Sequence, residues 1–178
     1  AEGVAVEWLA ADMRKFQLDQ AVDIAICVFD GLDALTDNQD IIRHFNNVAS
    51  NLTPQGIYVL DFTHPRDNSF QNYGNFRYKN QQNGITVDIL WATNDPAYDP
   101  VTGVAQVDIE MRVVADGTTK TFRDSAQERF FTAQEITLLA RCAGTLEVVG
   151  YYGDFNLSQP LDNSPASKRM ILVLQRLL

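Results

Sequence analysis

Between residues 4 and 66 the apolar positions come as short, nearly unbroken runs with one helical stripe among them. VAVEWLA (4–10), VDIAICVF (22–29) and GIYVLDF (56–62) read as strands. Strands apolar throughout suit a parallel sheet covered by helices on both faces. Between the second and third runs, TDNQDIIRHFNNVASNL places Ile41, Phe45, Val48 and Leu52 on one stripe. Thr36 and Gln39 stand at capping-box spacing before it, so a helix is predicted, with His44 at its surface. Pro54 and Gly56 mark the change from that helix to the third strand.

From 67 to 131 the pattern changes to alternation. NFRYK (75–79), ITVDILWAT (85–93), VAQVDIEMRVVA (104–115) and TKTFRDSAQERFF (119–131) read as strands. In the third, Val107, Ile109, Met111 and Val113 oppose Asp108, Glu110 and Arg112. Asn83-Gly84 and Asp116-Gly117 are hairpin turns by composition, so an antiparallel sheet with one polar face is expected. The first pattern then resumes. Thr132 and Glu135 form a second capping box, Gly144 follows the helix, and TLEVVGYYGDF (145–155) and KRMILVLQRL (168–177) are strands. The chain therefore divides into an α/β core, 1–66 and 132–178, and an inserted antiparallel sheet, 67–131.

Charge narrows the partners. Lys plus Arg number 14 against 23 Asp plus Glu, a formal net charge of -9. A nucleic-acid backbone or an anionic membrane rewards a basic face, so neither is expected as a partner. No apolar run is long enough to span a bilayer. The two cysteines, Cys27 and Cys142, are expected as buried free thiols of a cytoplasmic protein, and no histidine or cysteine spacing suggests metal.

Two predicted strands end on an acid, Asp12 beyond the first and Asp61 on the third. AADMRKF, VDIAICVFDGLDAL, NLTPQGIYVLDF, ERFFTAQEI and YYGDFN occur in that order over nearly the whole chain. In this order they resemble the class I S-adenosylmethionine-dependent methyltransferases, in the branch acting on small molecules. The resemblance implies a Rossmann-like methyltransferase core, N-terminally incomplete, carrying the antiparallel insertion. It also implies methyl transfer from S-adenosylmethionine to a small-molecule acceptor. The glycine-rich loop and the ribose-binding acid of that family have no counterpart in these residues, so binding of the cofactor by this chain alone is expected to be weak or absent.

By the same resemblance Asp12 accepts a hydrogen bond from the adenine amine, the backbone of Met13 serves the ring, and Cys27, Val28 and Phe29 line the cofactor. An ionised carboxylate is acceptor-only, which suits the adenine amine; Asp12 as the cap of a turn is the competing reading. Asp30-Gly31 then turns the chain at the ligand-binding edge of an open α/β sheet. Trp91, Arg112, Arg129, Tyr152 and Asp154 are candidate acceptor contacts, and His64, just past the third strand, is the candidate base. Trp91 as core and Arg112 as part of a solvated sheet face are the competing readings. A non-enzymatic self-association module and a dehydrogenase half remain as alternative functions. A homodimer is expected, joined through open strand edges or the apolar face of the insertion.

Overall fold

The computed structural model describes Gly3, residues 5–68 and residues 73–178. Its first sheet has the order β1-β2-β8-β7, from β1 (Val22–Cys27), β2 (Leu52–Thr63), β7 (Leu146–Tyr152) and β8 (Arg169–Arg176). β1 and β2 are parallel, whereas β8 runs antiparallel to both β2 and β7. The inserted sheet is an antiparallel meander of β3 (Phe76–Gln82), β4 (Ile85–Trp91), β5 (Val104–Ala115) and β6 (Thr118–Arg129).

Helices α1 (Asn38–Asn51) and α2 (Ala133–Ala143) pack on one face of the first sheet. Ile41, Phe45 and Val48 from α1 and Ile136, Leu139 and Ala140 from α2 meet Tyr58, Leu60, Phe62, Met170, Leu172 and Leu174 in one core. The opposite face is uncovered among the described residues, and Ile24 and Ile26 lie more than half exposed. The expectation of helices on both faces of these strands is thus corrected: here one face is covered.

The capping box at Thr132 forms as predicted, with its side chain accepting from Glu135 N and Glu135 bonding back to Thr132 N. Gly144 takes a left-handed φ of 70° behind α2. At α1 the cap lies one residue beyond the predicted box. Asp37, not Thr36, accepts from Gln39 N and Asp40 N, because a carboxylate is a stronger acceptor for the free amides of a first turn.

Three other expectations are overturned. Residues 5–10 form no strand, and Trp8 is 90% exposed. A strand needs a neighbour for its backbone groups, and no described strand pairs with this run. His44 is buried rather than at the surface, because it lies on the inward side of α1 beside Phe45. Its Nδ1 faces Met13 O at 2.8 Å and must donate, so Nε2 accepts from the Tyr58 hydroxyl, also at 2.8 Å. Burial holds the imidazole below its ordinary pKa despite the Met13 bond, as this neutral arrangement requires. Both cysteines are free, but Cys142 is exposed and Cys27 only half-buried.

Candidate functional site

The carboxyl ends of the parallel strands β1 and β2 and the amino end of β8 meet at one edge of the first sheet, and the insertion closes over that edge. Directly after β1 the chain turns through two non-glycine residues in left-handed backbone, Phe29 at φ 55° and Asp30 at φ 61°. Such a pair costs on the order of 1–3 kcal/mol per residue and persists only where the surroundings impose it. Here they do. Asp61 Oδ2 accepts from Phe29 N at 3.0 Å, Asp61 O accepts from Asp30 N at 3.1 Å, and Asp30 Oδ1 accepts from Thr63 N. Gly31 completes the turn, since a Cβ there would lie 3.0 Å from Cys27 Sγ.

Arg169 holds this knot to β8. Its Nε donates to Asp61 Oδ1 at 2.6 Å and its Nη1 to Thr63 Oγ1 at 3.1 Å, while Nη2 lies 3.4 Å from Asp30 Oδ2. Asp61 is 2% exposed. Burial works against the charge of Arg169, but the bond to Asp61 and the charge of Asp30 outweigh it and raise the guanidinium pKa.

Beyond the turn, a short 3-10 segment, Gly31–Ala34, carries Asp33 against β6. The space between them is a cleft of about 680 Å³. Phe29, Asp30, Asp33 and Thr63 line it from the core, Asn68 and Tyr73 from the connection, Trp91 and Glu128 from the insertion, and Arg169 from β8. Tyr73 donates its hydroxyl proton to Glu128 Oε2 and accepts from Trp91 Nε1 at 3.2 Å; Trp91 in turn stacks on Phe76. Burial raises the Glu128 pKa against the opposing effect of the Tyr73 bond, with the charge of Asp30 adding to the rise.

Asp33 is 6% exposed, and no described residue hydrogen-bonds its buried Oδ1. Burial, then the charges of Asp30 and Glu128, push its pKa up to about 9. Asn68 Oδ1 likewise lacks a partner among the described residues, although its amide donates to Tyr98 at 2.9 Å.

Of the candidate acceptor contacts, the cleft gathers Trp91 alone. Arg112 lies on the solvated face of the insertion, where it and Arg123 share Glu110 at 2.6 and 2.9 Å. Arg129 ties β6 to the helices: Nη1 reaches Asn38 Oδ1 at 2.6 Å, Nη2 reaches Glu135 at 3.6 Å, and the guanidinium lies over the Phe131 ring. Tyr152 ends β7 in a bridge to Pro160, and Asp154 accepts from Asn156 N in the following loop. That loop closes on Gly153, where a Cβ would lie 2.2 Å from Ser167 Oγ. His64 is buried, with Nδ1 accepting from Arg66 N at 3.1 Å and Nε2 facing Asp162 O at 2.9 Å. Both ring nitrogens are engaged and His64 does not line the cleft, so it is not poised as a base there.

Asp12 starts a turn and its carboxylate binds Arg14 three times, at the backbone N, Nε and Nη2, within 2.8–2.9 Å. Those hydrogen bonds hold its pKa far below the usual carboxylate range. Arg14 also reaches Asp40 at 2.7 Å, which ties the turn to α1. Met13 packs on the core, as does Cys27, whose thiol burial pushes up. Val28 leads into the strained turn and Phe29 stands 84% exposed beside the cleft.

The core order, with its antiparallel β8 between β2 and β7, and the inserted sheet can be compared with solved structures. A S-adenosylmethionine-dependent methyltransferase from Clostridium acetobutylicum matches with a TM-score of 0.70 at 14% identity, over 94% of this chain and 63% of the other. The S-adenosylmethionine-bound amino pentose methyltransferase CalS10 from Micromonospora echinaspora matches with a TM-score of 0.61 at 19% identity, over 94% and 63%. The sugar N-methyltransferase KedS8 from Streptoalloteichus gives 0.66 at 18% identity, over 93% and 60%. This is the methyltransferase fold. No protein-family model matches the chain, and no curated protein sequence does. The chain spans 60–63% of the length of these three structures. Within the methyltransferase fold, the turn at Phe29–Gly31 and the cleft both lie at the carboxyl edge of the parallel strands, where open α/β sheets bind ligands.

Proposed function

We propose that this chain carries the acceptor side, and the adenine side of the cofactor site, of a S-adenosylmethionine-dependent methyltransferase acting on a sugar-sized small molecule. The observation that carries this reading is the acid-lined cleft at the ligand edge of a methyltransferase fold, with a strained turn at its mouth. A cleft of about 680 Å³ suits a compact organic acceptor.

Asp12 and Phe29 have the chemistry that the cofactor's adenine side needs. Arg14 takes three bonds to the Asp12 carboxylate, which has room for about four and so keeps acceptor capacity. The exposed Phe29 ring offers an apolar surface at the cleft. Bound there, S-adenosylmethionine would supply an electrophilic methyl group. Asp12 and Met13 would orient the adenine, while Val28 and Phe29 would shield the transfer from water. Methyl transfer needs alignment and dehydration more than a covalent group, and the chain's contribution is therefore positioning.

Titration with S-adenosylhomocysteine, followed by amide NMR, tests this. Weak binding, with a dissociation constant of about 1 mM, is expected to move the amides of Asp12, Met13 and Cys27–Gly31. Shifts confined to other parts of the molecule, or none at all, would overturn the reading.

A further inference from the structure

The cleft brings four carboxyl groups, Asp30, Asp33, Asp67 and Glu128, together with one guanidinium, Arg169. Three of the four are accounted for. Asp30 is bound by Thr63 and Arg169, Asp67 pairs with Arg66 at 2.9 Å, and Glu128 accepts from Tyr73. Asp33 is the exception, because its buried Oδ1 has no hydrogen-bond partner among the described residues. A buried carboxyl in this condition costs free energy unless something brings it a donor. Asn68 Oδ1, in the same lining, is a second buried acceptor lacking a donor. The cleft as a whole is thus rich in acceptors and short of one thing, a small multi-donor group with positive charge.

We infer that Asp33 is the acceptor-binding and proton-accepting residue of the cleft, and that the group it takes is a primary or secondary ammonium, with Glu128 and Asn68 receiving its remaining N–H bonds. An ammonium has donors only, so it matches a lining that offers unpaired acceptors. A hydroxyl acceptor would satisfy one of these oxygens and bring no charge. The inference rests on the methyltransferase reading for its chemistry but not for its binding geometry.

The groups facing Asp33 set the direction of proton flow. Asp30 from the turn and Glu128 from β6 disfavour a further negative charge, Arg169 from β8 favours it, and burial keeps the Tyr98 hydroxyl and the Cys27 thiol neutral. At neutral pH Asp33 therefore holds a proton until a cation enters, and entry of the ammonium releases that proton to solvent. In the transfer itself the Asp33 carboxylate takes one proton from the ammonium, giving a neutral amine and a carboxylic acid. The freed nitrogen lone pair forms the new N–C bond as the carbon–sulfur bond of the sulfonium donor breaks. That bond's electron pair stays on sulfur, and the positive charge passes to the methylated nitrogen. The desolvated cleft, with Asp30 and Glu128 beside Asp33, favours the neutral amine–acid pair over the ion pair and so lowers the cost of this transfer.

The test needs no cofactor. D-glucosamine and D-glucose differ in one amine, and each is added to the whole chain at pH 6.5 while the Asp33 side-chain carboxyl is followed by carbon-13 NMR. Glucosamine is expected to move the Asp33 resonance from the acid to the carboxylate position and to bind at least tenfold tighter than glucose. Asp33→Asn should reduce that preference below twofold, and Glu128→Gln should reduce it partly; the second variant covers the case in which the first does not fold. An Asp33 resonance unmoved by glucosamine at about 50 mM, or equal binding of the two sugars, overturns the assignment. Because methyl transfer is not measured, failure here leaves the homocysteine titration intact, and failure of that titration leaves this result intact.

Discussion

Arg169→Ala is expected to cost about 3–5 kcal/mol of stability, the usual consequence of breaking a buried ion pair from one side. Asp61 is buried between β1, β2 and β8 and its Oδ1 depends on the Arg169 Nε at 2.6 Å. The same guanidinium reaches Thr63 Oγ1 and Asp30, so its loss also releases the left-handed turn at Phe29 and Asp30. Urea unfolding of the wild type and variant at neutral pH provides the measurement. Arg169→Lys should recover part of the loss, since an ammonium can pair with Asp61 but cannot present the planar fork that binds three groups. A loss below about 1 kcal/mol in the alanine variant would mean that Asp61 is not held as a buried charge.

Asp33→Asn is expected to stabilise the protein, and increasingly so as pH rises. The folded-state pKa of Asp33 is raised from the ordinary 3.8 to about 9, so between those values the folded chain binds a proton that the unfolded chain has lost. The contribution of Asp33 to stability is therefore fully present below about pH 4 and declines as pH climbs towards 9. Asparagine is neutral at every pH and nearly the same shape, so it removes the decline. Melts of both proteins at pH 5 and pH 8 should show the variant's advantage growing by up to about 4 kcal/mol between the two, at about 1.4 kcal/mol per pH unit. Glu128, also raised, contributes the same trend to both proteins and cancels in the difference. A variant less stable than wild type at pH 8 would show Asp33 to be an ionised, satisfied carboxylate.

Local signals were legible where the chemistry is local. The capping box at Thr132 and the hairpin turns at Asn83-Gly84 and Asp116-Gly117 depend on a few adjacent residues, and all three stand as read. β5 and its alternation were readable for the same reason, because a period of two needs only the strand itself. The run at 4–10 has the composition of a strand, but a strand also requires a partner, and composition does not supply one. His44 reads as a surface residue because a lone polar side chain in a helix looks solvent-facing, whereas Met13 O and Tyr58 bury it, one 31 residues before it and the other 14 after.

The site was harder still. Trp91 is legible in the sequence and enters the cleft, whereas Asp33, Asn68, Tyr73, Glu128 and Arg169 are not legible there. Asp33 and Glu128 are far apart in sequence and meet only because the insertion folds back over the 3-10 segment Gly31–Ala34. The one readable hint was the spacing of Asp30 and Asp33 within FDGLD, two acids three residues apart just after an apolar strand. Arg112 and Arg129 stand out in the sequence as charges on a β insertion, and both are occupied by carboxylates or amides of the fold itself.

In the proposed function the cofactor edge and the acceptor cleft are one continuous site joined at the Phe29–Asp30 turn. Interligand nuclear Overhauser effects measure this directly, in a sample holding the chain with S-adenosylhomocysteine and D-glucosamine together. The account predicts cross-peaks between the methylene protons beside the homocysteine sulfur and the proton on the amine-bearing carbon of the sugar, lost on Asp33→Asn. A sample with both ligands present and no cross-peak between them would contradict it.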